Sequence, residues 1–264
     1  HTDKTEGLFR KFGQFVNSLS GRYITAEDVG TSTADMVHVS KETKFCTGLP
    51  ETMGGGGDPS PVTAYGVYMG MKASAKEVWG NDSLSGKRII IQGVGHVGEH
   101  LVRLVSAEDA KVFVTDIHEK HIKTATEKYD AIAIDKDAVY DFDADIYAPC
   151  ALGATLNTEN ISKLKVAIVA GAANNQLHDE DIHGRMLMEK GILYAPDFLI
   201  NAGGLINVYS ELQGYNREKA LEQTKHIYDV TLSIFHKSKE DKITTVDAAK
   251  QLAEKRISDA RRSK

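Results

Sequence analysis

The residues with the clearest chemistry are Gly93-Val94-Gly95-His96-Val97-Gly98. They follow the apolar run Arg88-Ile89-Ile90-Ile91-Gln92 and lead into Glu99-His100-Leu101-Val102-Arg103-Leu104-Val105, which reads as a helix. A strand, three spaced glycines and a helix form a phosphate-binding turn. Gly93 permits the tight turn, Gly95 lets the backbone approach a pyrophosphate, and Gly98 allows close helix–strand packing. The helix start then offers free N–H groups and a partial positive charge to the phosphates. His96 offers its backbone N–H there, so its side chain needs no catalytic role. A second apolar run, 111–115, ends in Asp116, followed by Ile117. An acid about twenty residues beyond the glycines accepts hydrogen bonds from the adenosine ribose hydroxyls and repels a 2′-phosphate, which points to NAD over NADP. The competing reading is a tight turn beside a solvated aspartate. Strand, glycines, helix, second strand and acid in one register favour the nucleotide.

Three further clusters of small or polar residues sit where strands of an open parallel sheet would end, the side on which such sheets bind ligands. They are Ala148-Pro149-Cys150-Ala151, Gly171-Ala172-Ala173-Asn174 and Asn201-Ala202-Gly203-Gly204. Small residues let a flat ring lie against the backbone, and Asn174 and Asn201 can hydrogen-bond a carboxamide, a ribose or a carboxylate. Each alone is also ordinary loop chemistry. Cys150 reads as a small apolar filler, because no histidine adjoins it in sequence to activate a nucleophile. Near the start, Glu27-Asp28 follows a short candidate strand, Tyr23-Ile24-Thr25-Ala26. One of these acids could be a catalytic carboxylate and the other its solvated neighbour.

The elements that must position these residues follow from periodicity. Apolar runs at 88–91, 112–115, 131–134, 146–148, 166–170 and 192–195 alternate with helix-like stretches. Continuous apolar runs mark strands buried on both faces, and strands alternating with helices give a parallel sheet. Six such runs match a doubly wound, Rossmann-type dinucleotide-binding sheet. Before it, Leu8, Phe12, Phe15, Val16 and Leu19 predict an amphipathic helix over 4–19, stopped near Gly21. The glycines Gly54-Gly55-Gly56-Gly57 form a turn, and Ser60-Pro61 reads as an N-cap and first helical position. From Asp197 the chain is helical. Leu221, Ile227, Val230 and Ile234 suggest one long stripe, and a final helix over 245–261 ends in a basic terminus suited to the macrodipole.

Composition bounds the rest. With 264 residues, 41% hydrophobic and 26% charged, the chain suits one large or two modest globular domains. A net charge of −5 suggests neither a nucleic-acid nor a membrane partner. The two cysteines, Cys46 and Cys150, show no metal-ligand spacing and read as free thiols of a cytoplasmic protein. The sequence opens in the polar stretch His1-Thr2-Asp3-Lys4 without a methionine. One helix and one short strand cannot make a domain, so the first part reads as the remainder of one that begins upstream.

These residues carry a resemblance. Thr25-Ala26-Glu27-Asp28-Val29-Gly30, Pro59-Ser60-Pro61-Val62-Thr63-Ala64-Tyr65-Gly66-Val67, residues 92–98, Ala148-Pro149-Cys150-Ala151-Leu152-Gly153, Ala170-Gly171-Ala172-Ala173-Asn174-Asn175-Gln176 and Ile200-Asn201-Ala202-Gly203-Gly204 resemble, in order, the glutamate/leucine/phenylalanine/valine dehydrogenases. The leucine-specific members look nearest. The resemblance implies an α/β chain: a remnant of an N-terminal α/β substrate domain at 1–58, an NAD-binding Rossmann-like domain at 59–200, and C-terminal helices at 201–264. It implies reversible NAD-dependent oxidative deamination of an L-amino acid to the 2-oxo acid and ammonia, for leucine first, then valine and isoleucine, with phenylalanine as the near alternative. Asp28 would be the catalytic aspartate that moves protons at the amine, and Ala26 would line the side-chain pocket. Thr63 and Asn174 would lie at the nicotinamide end of the cofactor, and Asn201 near both nicotinamide and substrate. Gly93, Val94, Gly95, His96, Val97, Gly98, Asp116, Ile117, Cys150, Ala151, Ala172 and Ala173 would complete the NAD site, with no metal. The family also implies a closed homo-oligomer, often an octamer. Its two essential lysines, one holding the substrate carboxylate and one activating water, lie on a segment upstream of His1. The sequence as it stands would then bind NAD with little or no turnover.

Overall fold

Three isoleucines in a row, Ile89, Ile90 and Ile91, are fully buried, and they make the centre of a six-stranded sheet. In the computed structural model, residues 4–28 and 30–262 are described. His1, Thr2, Asp3 and Val29, used in the readings above, lie outside the described residues, as do Ser263 and Lys264.

Along the chain the elements are α1 (Glu6–Ser18), α2 (Thr33–Ser40), α3 (Ser60–Trp79), β1 (Arg88–Gln92), α4 (His96–Ser106), β2 (Lys111–Thr115), α5 (Glu119–Tyr129), β3 (Ile132–Ala133), β4 (Ile146–Pro149), α6 (Thr158–Lys163), β5 (Ile168–Val169), α7 (Glu180–Glu189), β6 (Leu193–Tyr194), α8 (Asp197–Ile200), α9 (Gly203–Glu211), α10 (Arg217–Lys225), α11 (Ile227–Asp241) and α12 (Thr245–Arg262). They form two compact units, His1–Val62 with Gly203–Thr224, and Thr63–Ala202 with Lys225–Lys264. Residues 201–264, expected as one set of C-terminal helices, are therefore divided between the two.

The second unit holds a six-stranded sheet in the order β3-β2-β1-β4-β5-β6, parallel throughout. This is the doubly wound α/β order, with its switch point between β1 and β4. All six expected strands are present. The central ones are buried on both faces, whereas β3 pairs only with β2 and is exposed at both residues. Side chains alternate across a strand. Ile90 thus points into a core with Tyr147, Val169 and Tyr194 of the sheet, Ile161 of α6, Leu187 of α7 and Val246 of α12. Helix α11 turns Ile227, Thr231, Ile234 and Phe235 inward at helical spacing. The long stripe expected from Leu221 to Ile234 is interrupted: α10 ends at Lys225 and α11 starts at Ile227, because the first packs with one unit and the second with the other.

In the first unit, Phe9 of α1 packs on Met36 and Val39 of α2 with Cys46, and Leu49 covers them. Gly13 permits that approach, since a Cβ there would lie 2.7 Å from the Val39 carbonyl oxygen. Thr5 caps α1 through the Leu8 N–H, and Ser32 and Asp35 cap α2 reciprocally. The expected strand over 23–26 reduces to one parallel bridge, Thr25 to Cys46. Thr25 is buried, but Tyr23 and Ile24 are exposed, so the burial that would extend a strand stops at one residue. Helix α3 begins at Ser60 rather than after it, and just before it the Asp58 carboxylate accepts the Ser60 N–H at 2.9 Å. No helix among the described residues is long and apolar enough to cross a membrane.

Candidate nucleotide site and catalytic carboxylate

Beyond the carboxyl end of β1 the chain turns sharply at Gly93, whose φ of +95° lies in the left-handed region that favours glycine. Its N–H donates to the Thr115 carbonyl at 2.7 Å, tying the turn to the end of β2. A Cβ on Gly93 would meet Ala151 at 2.8 Å, so the loop after β4 seals one side of the turn. Gly98, in the first turn of α4, packs so closely that a Cβ would lie 2.0 Å from the Gly93 carbonyl oxygen. Gly95 is different: it caps α4, and no atom lies within 4 Å of where its Cβ would point. The two flanking glycines serve packing, and the middle one leaves open space before a helix N-terminus. His96, exposed, begins α4, and Val97 follows it within the first turn.

Asp116 stands at the end of β2. Its Oδ2 accepts the Val94 N–H and its Oδ1 the His118 N–H, both at 2.8 Å, while His121 Nδ1 lies 3.3 Å from Oδ2. Burial pushes its pKa up, but the two N–H donors and the His121 ring outweigh burial and hold it below the ordinary carboxylate value. At neutral pH this is a fixed anion beside the glycine turn, and the Val94 contact joins the two. Ile117, the next residue, is 84% exposed and forms an apolar rim. Open space at a helix N-terminus with an ionised acid beside it fits a dinucleotide: pyrophosphate against the N–H groups, ribose hydroxyls against Asp116.

The loops after β4 and β5 meet closely. A Cβ on Gly171 would lie 2.2 Å from the Pro149 carbonyl oxygen, and the Ala173 N–H donates to that oxygen at 2.9 Å. Ala172 and Ala173 are thereby fixed beside Cys150, whose N–H donates to the Gln92 carbonyl at 2.7 Å. Asn201 follows α8 and donates from Nδ2 to Asn174 Oδ1 at 2.5 Å and to the Ala172 carbonyl at 3.1 Å. The two asparagines, distant in sequence, form one amide pair at the sheet's carboxyl edge. Thr63 is half-buried in the first turn of α3.

Burial pushes the Cys150 thiol up to about 12, against a weaker opposing pull from the Ala172 backbone. Burial, with the Glu211 carboxylate adding to it, raises Cys46 to about 11. The thiolate is the nucleophile, so both are poor nucleophiles at neutral pH. Iodoacetamide at pH 8 is expected to label neither residue rapidly in the folded protein and both rapidly in denaturant, as read by peptide mass spectrometry; fast native labelling of Cys150 would show that its thiol is activated. No group of three or more His, Cys, Asp or Glu among the described residues could hold a metal ion.

In the first unit, Asp28 is exposed and ends the segment carrying Thr25 and the half-buried Ala26. Thr31 closes the turn after it: its Oγ1 accepts the Asp28 N–H at 2.9 Å, and its N–H and hydroxyl both donate to the Asp28 carbonyl. Two groups escaped the sequence reading. Glu211 at the end of α9 accepts the N–H groups of Gly48, Leu49 and Gly56 and holds the glycine-rich loop. Its partners lie more than 150 residues away, beyond any local pattern. His121 was overlooked too, although one turn into a helix starting after Asp116 brings a side chain back towards the strand end.

The model of the family described as Glutamate/Leucine/Phenylalanine/Valine dehydrogenase matches residues 54–264. The chain belongs to this family. It is 52% identical over 262 residues to the leucine dehydrogenase of Bacillus cereus, covering 99% of this chain and 71% of the relative. It is 48% identical over 260 residues to the phenylalanine dehydrogenase of Lysinibacillus sphaericus, covering 97% and 68%. The crystal structure of L-tryptophan dehydrogenase from Nostoc punctiforme superposes with a TM-score of 0.85 at 43% identity, covering 99% of this chain and 75% of that one. The protein is thus of the amino acid dehydrogenase class, oxidoreductases that use a nicotinamide dinucleotide and act on amino acids.

Proposed function

We propose that the protein catalyses the reversible NAD-dependent oxidative deamination of a branched-chain L-amino acid, L-leucine ahead of valine and isoleucine, to the 2-oxo acid and ammonia. The observation that carries this reading is Asp116: an ionised carboxylate tied by Val94 to the glycine turn, where it would accept ribose hydroxyls and repel a 2′-phosphate. The likeness to leucine dehydrogenase over 99% of the chain supports the substrate.

When bound, the nicotinamide would accept the hydride from the substrate's Cα. The residues of this chain take the following parts. The N–H groups of Gly95, His96, Val97 and Gly98 hold the pyrophosphate, and Ile117 borders the adenosine. Ala151, Ala172 and Ala173 give the ring a flat backbone surface beside Cys150. Thr63, Asn174 and Asn201 orient the carboxamide end, Asn201 also reaching the substrate. Asp28 takes and returns protons at the substrate nitrogen, and Ala26 leaves an apolar space for the side chain. A glutamate side chain would need a cation there, and alanine supplies none. The reading includes a cytoplasmic homo-oligomer with no nucleic-acid or membrane partner.

The test is kcat/KM for leucine, valine, isoleucine, phenylalanine, tryptophan and glutamate in the intact protein. Leucine is expected to exceed the aromatic substrates by about tenfold or more, at least the discrimination that a single methylene gives in a hydrophobic pocket. A lead for phenylalanine or tryptophan would favour the second reading, an aromatic amino acid dehydrogenase, which the relatives of those names support.

A further inference from the structure

We infer that His121 is a specificity-determining residue that makes the choice between NAD and its 2′-phosphorylated form depend on pH. The inference rests on the nucleotide reading of Asp116 given above.

An anion at Asp116 disfavours a 2′-phosphate by like-charge repulsion. That repulsion lasts only while the carboxylate's charge is uncompensated. The two backbone donors, Val94 N–H and His118 N–H, satisfy lone pairs but bring no net charge. His121 is the one titratable side chain in ion-pair reach of the carboxylate among the described residues: Nδ1 lies 3.3 Å from Oδ2 and is itself sealed from solvent, while the side chain as a whole is 39% exposed. The ring can therefore gain a proton at its outer edge while its inner nitrogen faces the acid. The His118 ring stands edge-on to it, centroids 5.1 Å apart.

The other charged groups around the pair are common to the wild type and a His121 variant, so their contribution cancels in the comparison. On α5, Glu119 and Lys120 flank His121, and Lys123 pairs with Glu127 at 3.7 Å. On α4, packed against α5, stand His96, Glu99, His100 and Arg103, and Glu99 is held by Lys128 and Tyr129 at 3.2 Å. Lys111 begins β2, and Asp130 and Asp135 flank β3.

The sign follows. A proton on the His121 ring offsets the Asp116 charge, and the 2′-phosphate then meets a neutral pair instead of an anion. Without that proton repulsion is full. Affinity for NADPH relative to NADH should therefore rise as pH falls. The 2′-phosphate also gains a proton near pH 6, which relieves repulsion in any variant. The informative quantity is the difference between proteins.

The experiment measures dissociation constants of NADH and NADPH by cofactor fluorescence, without turnover, at pH 8.5 and 6.0. The proteins are the wild type, His121→Gln and Asp116→Asn. The wild-type NADPH/NADH affinity ratio is expected to rise about tenfold more than that of His121→Gln over this span, the effect of one screened unit charge at short range. Asp116→Asn removes the standing repulsion and is expected to bind NADPH more tightly than the wild type at pH 8.5, while its ratio still rises as pH falls, because His121 remains to carry a proton. If His121→Gln misfolds, His121→Asn takes its place. Equal slopes in the wild type and in the His121 variant, with NADH still bound tightly by the wild type at pH 8.5, would overturn the role of His121 and leave the nucleotide reading intact. Failure of the folded wild type to bind either cofactor would overturn both.

Discussion

Asp28→Asn in the intact protein is expected to lower kcat for leucine about 10²–10⁴-fold, the usual contribution of a positioned acid–base group, with NADH affinity unchanged. The separation follows from where the residues stand. Asp28 belongs to the first compact unit, and every residue of the nucleotide turn belongs to the second. Asparagine keeps the shape but can no longer take a proton from the substrate nitrogen. The turn itself is held by backbone groups, with Thr31 bonded to the N–H and carbonyl of residue 28, so the substitution leaves these bonds in place. Unchanged melting temperature and NADH binding with collapsed kcat is the pattern expected from stopped-flow and fluorescence measurements. A variant with wild-type kcat would remove Asp28 from the mechanism.

The glycine turn yields the second large effect, as a contrast between two single methyl groups. Gly98→Ala places a Cβ 2.0 Å from a backbone carbonyl, which no side-chain rotation relieves. Helix and turn must separate, at a stability cost of about 1–3 kcal/mol or more, and the N–H groups lose their aim. NADH affinity is expected to fall about a hundredfold, with a lower melting temperature. Gly95→Ala places its methyl in open space at negative φ, so the fold should keep its melting temperature. Its affinity should fall too, since that space is where a pyrophosphate would approach. Equal NADH binding by the Gly95 variant and the wild type would mean that phosphate does not come to this turn.

The sheet was legible because its strands are continuous apolar runs, the mark of burial on both faces, and because the turn after β1 needs glycine for backbone reasons. Even β3, exposed at Ile132 and Ala133, carried an apolar run, since pairing with β2 and not burial holds it. Elements that depend on distant partners were harder to read. Tyr23 and Ile24 look strand-like but stay exposed, leaving Thr25 as a single bridge. The apolar stripe through Leu221 and Ile227 shows no local sign of the break at His226, which follows from the division of the chain into two units. In the candidate site, Asp116 was found by its distance from the glycines. The Asn174–Asn201 hydrogen bond, the Glu211 clamp and the His121 contact join loops or turns that meet only in the folded chain.

The most direct test of the central claim is the stoichiometry of products from L-leucine and NAD in the intact protein at alkaline pH. The account predicts NADH, ammonia and the 2-oxo acid in equal amounts, with no NADH from the matching 2-hydroxy acid. NADH from the hydroxy acid without ammonia, or no NADH from any amino acid while the cofactor still binds, would contradict it.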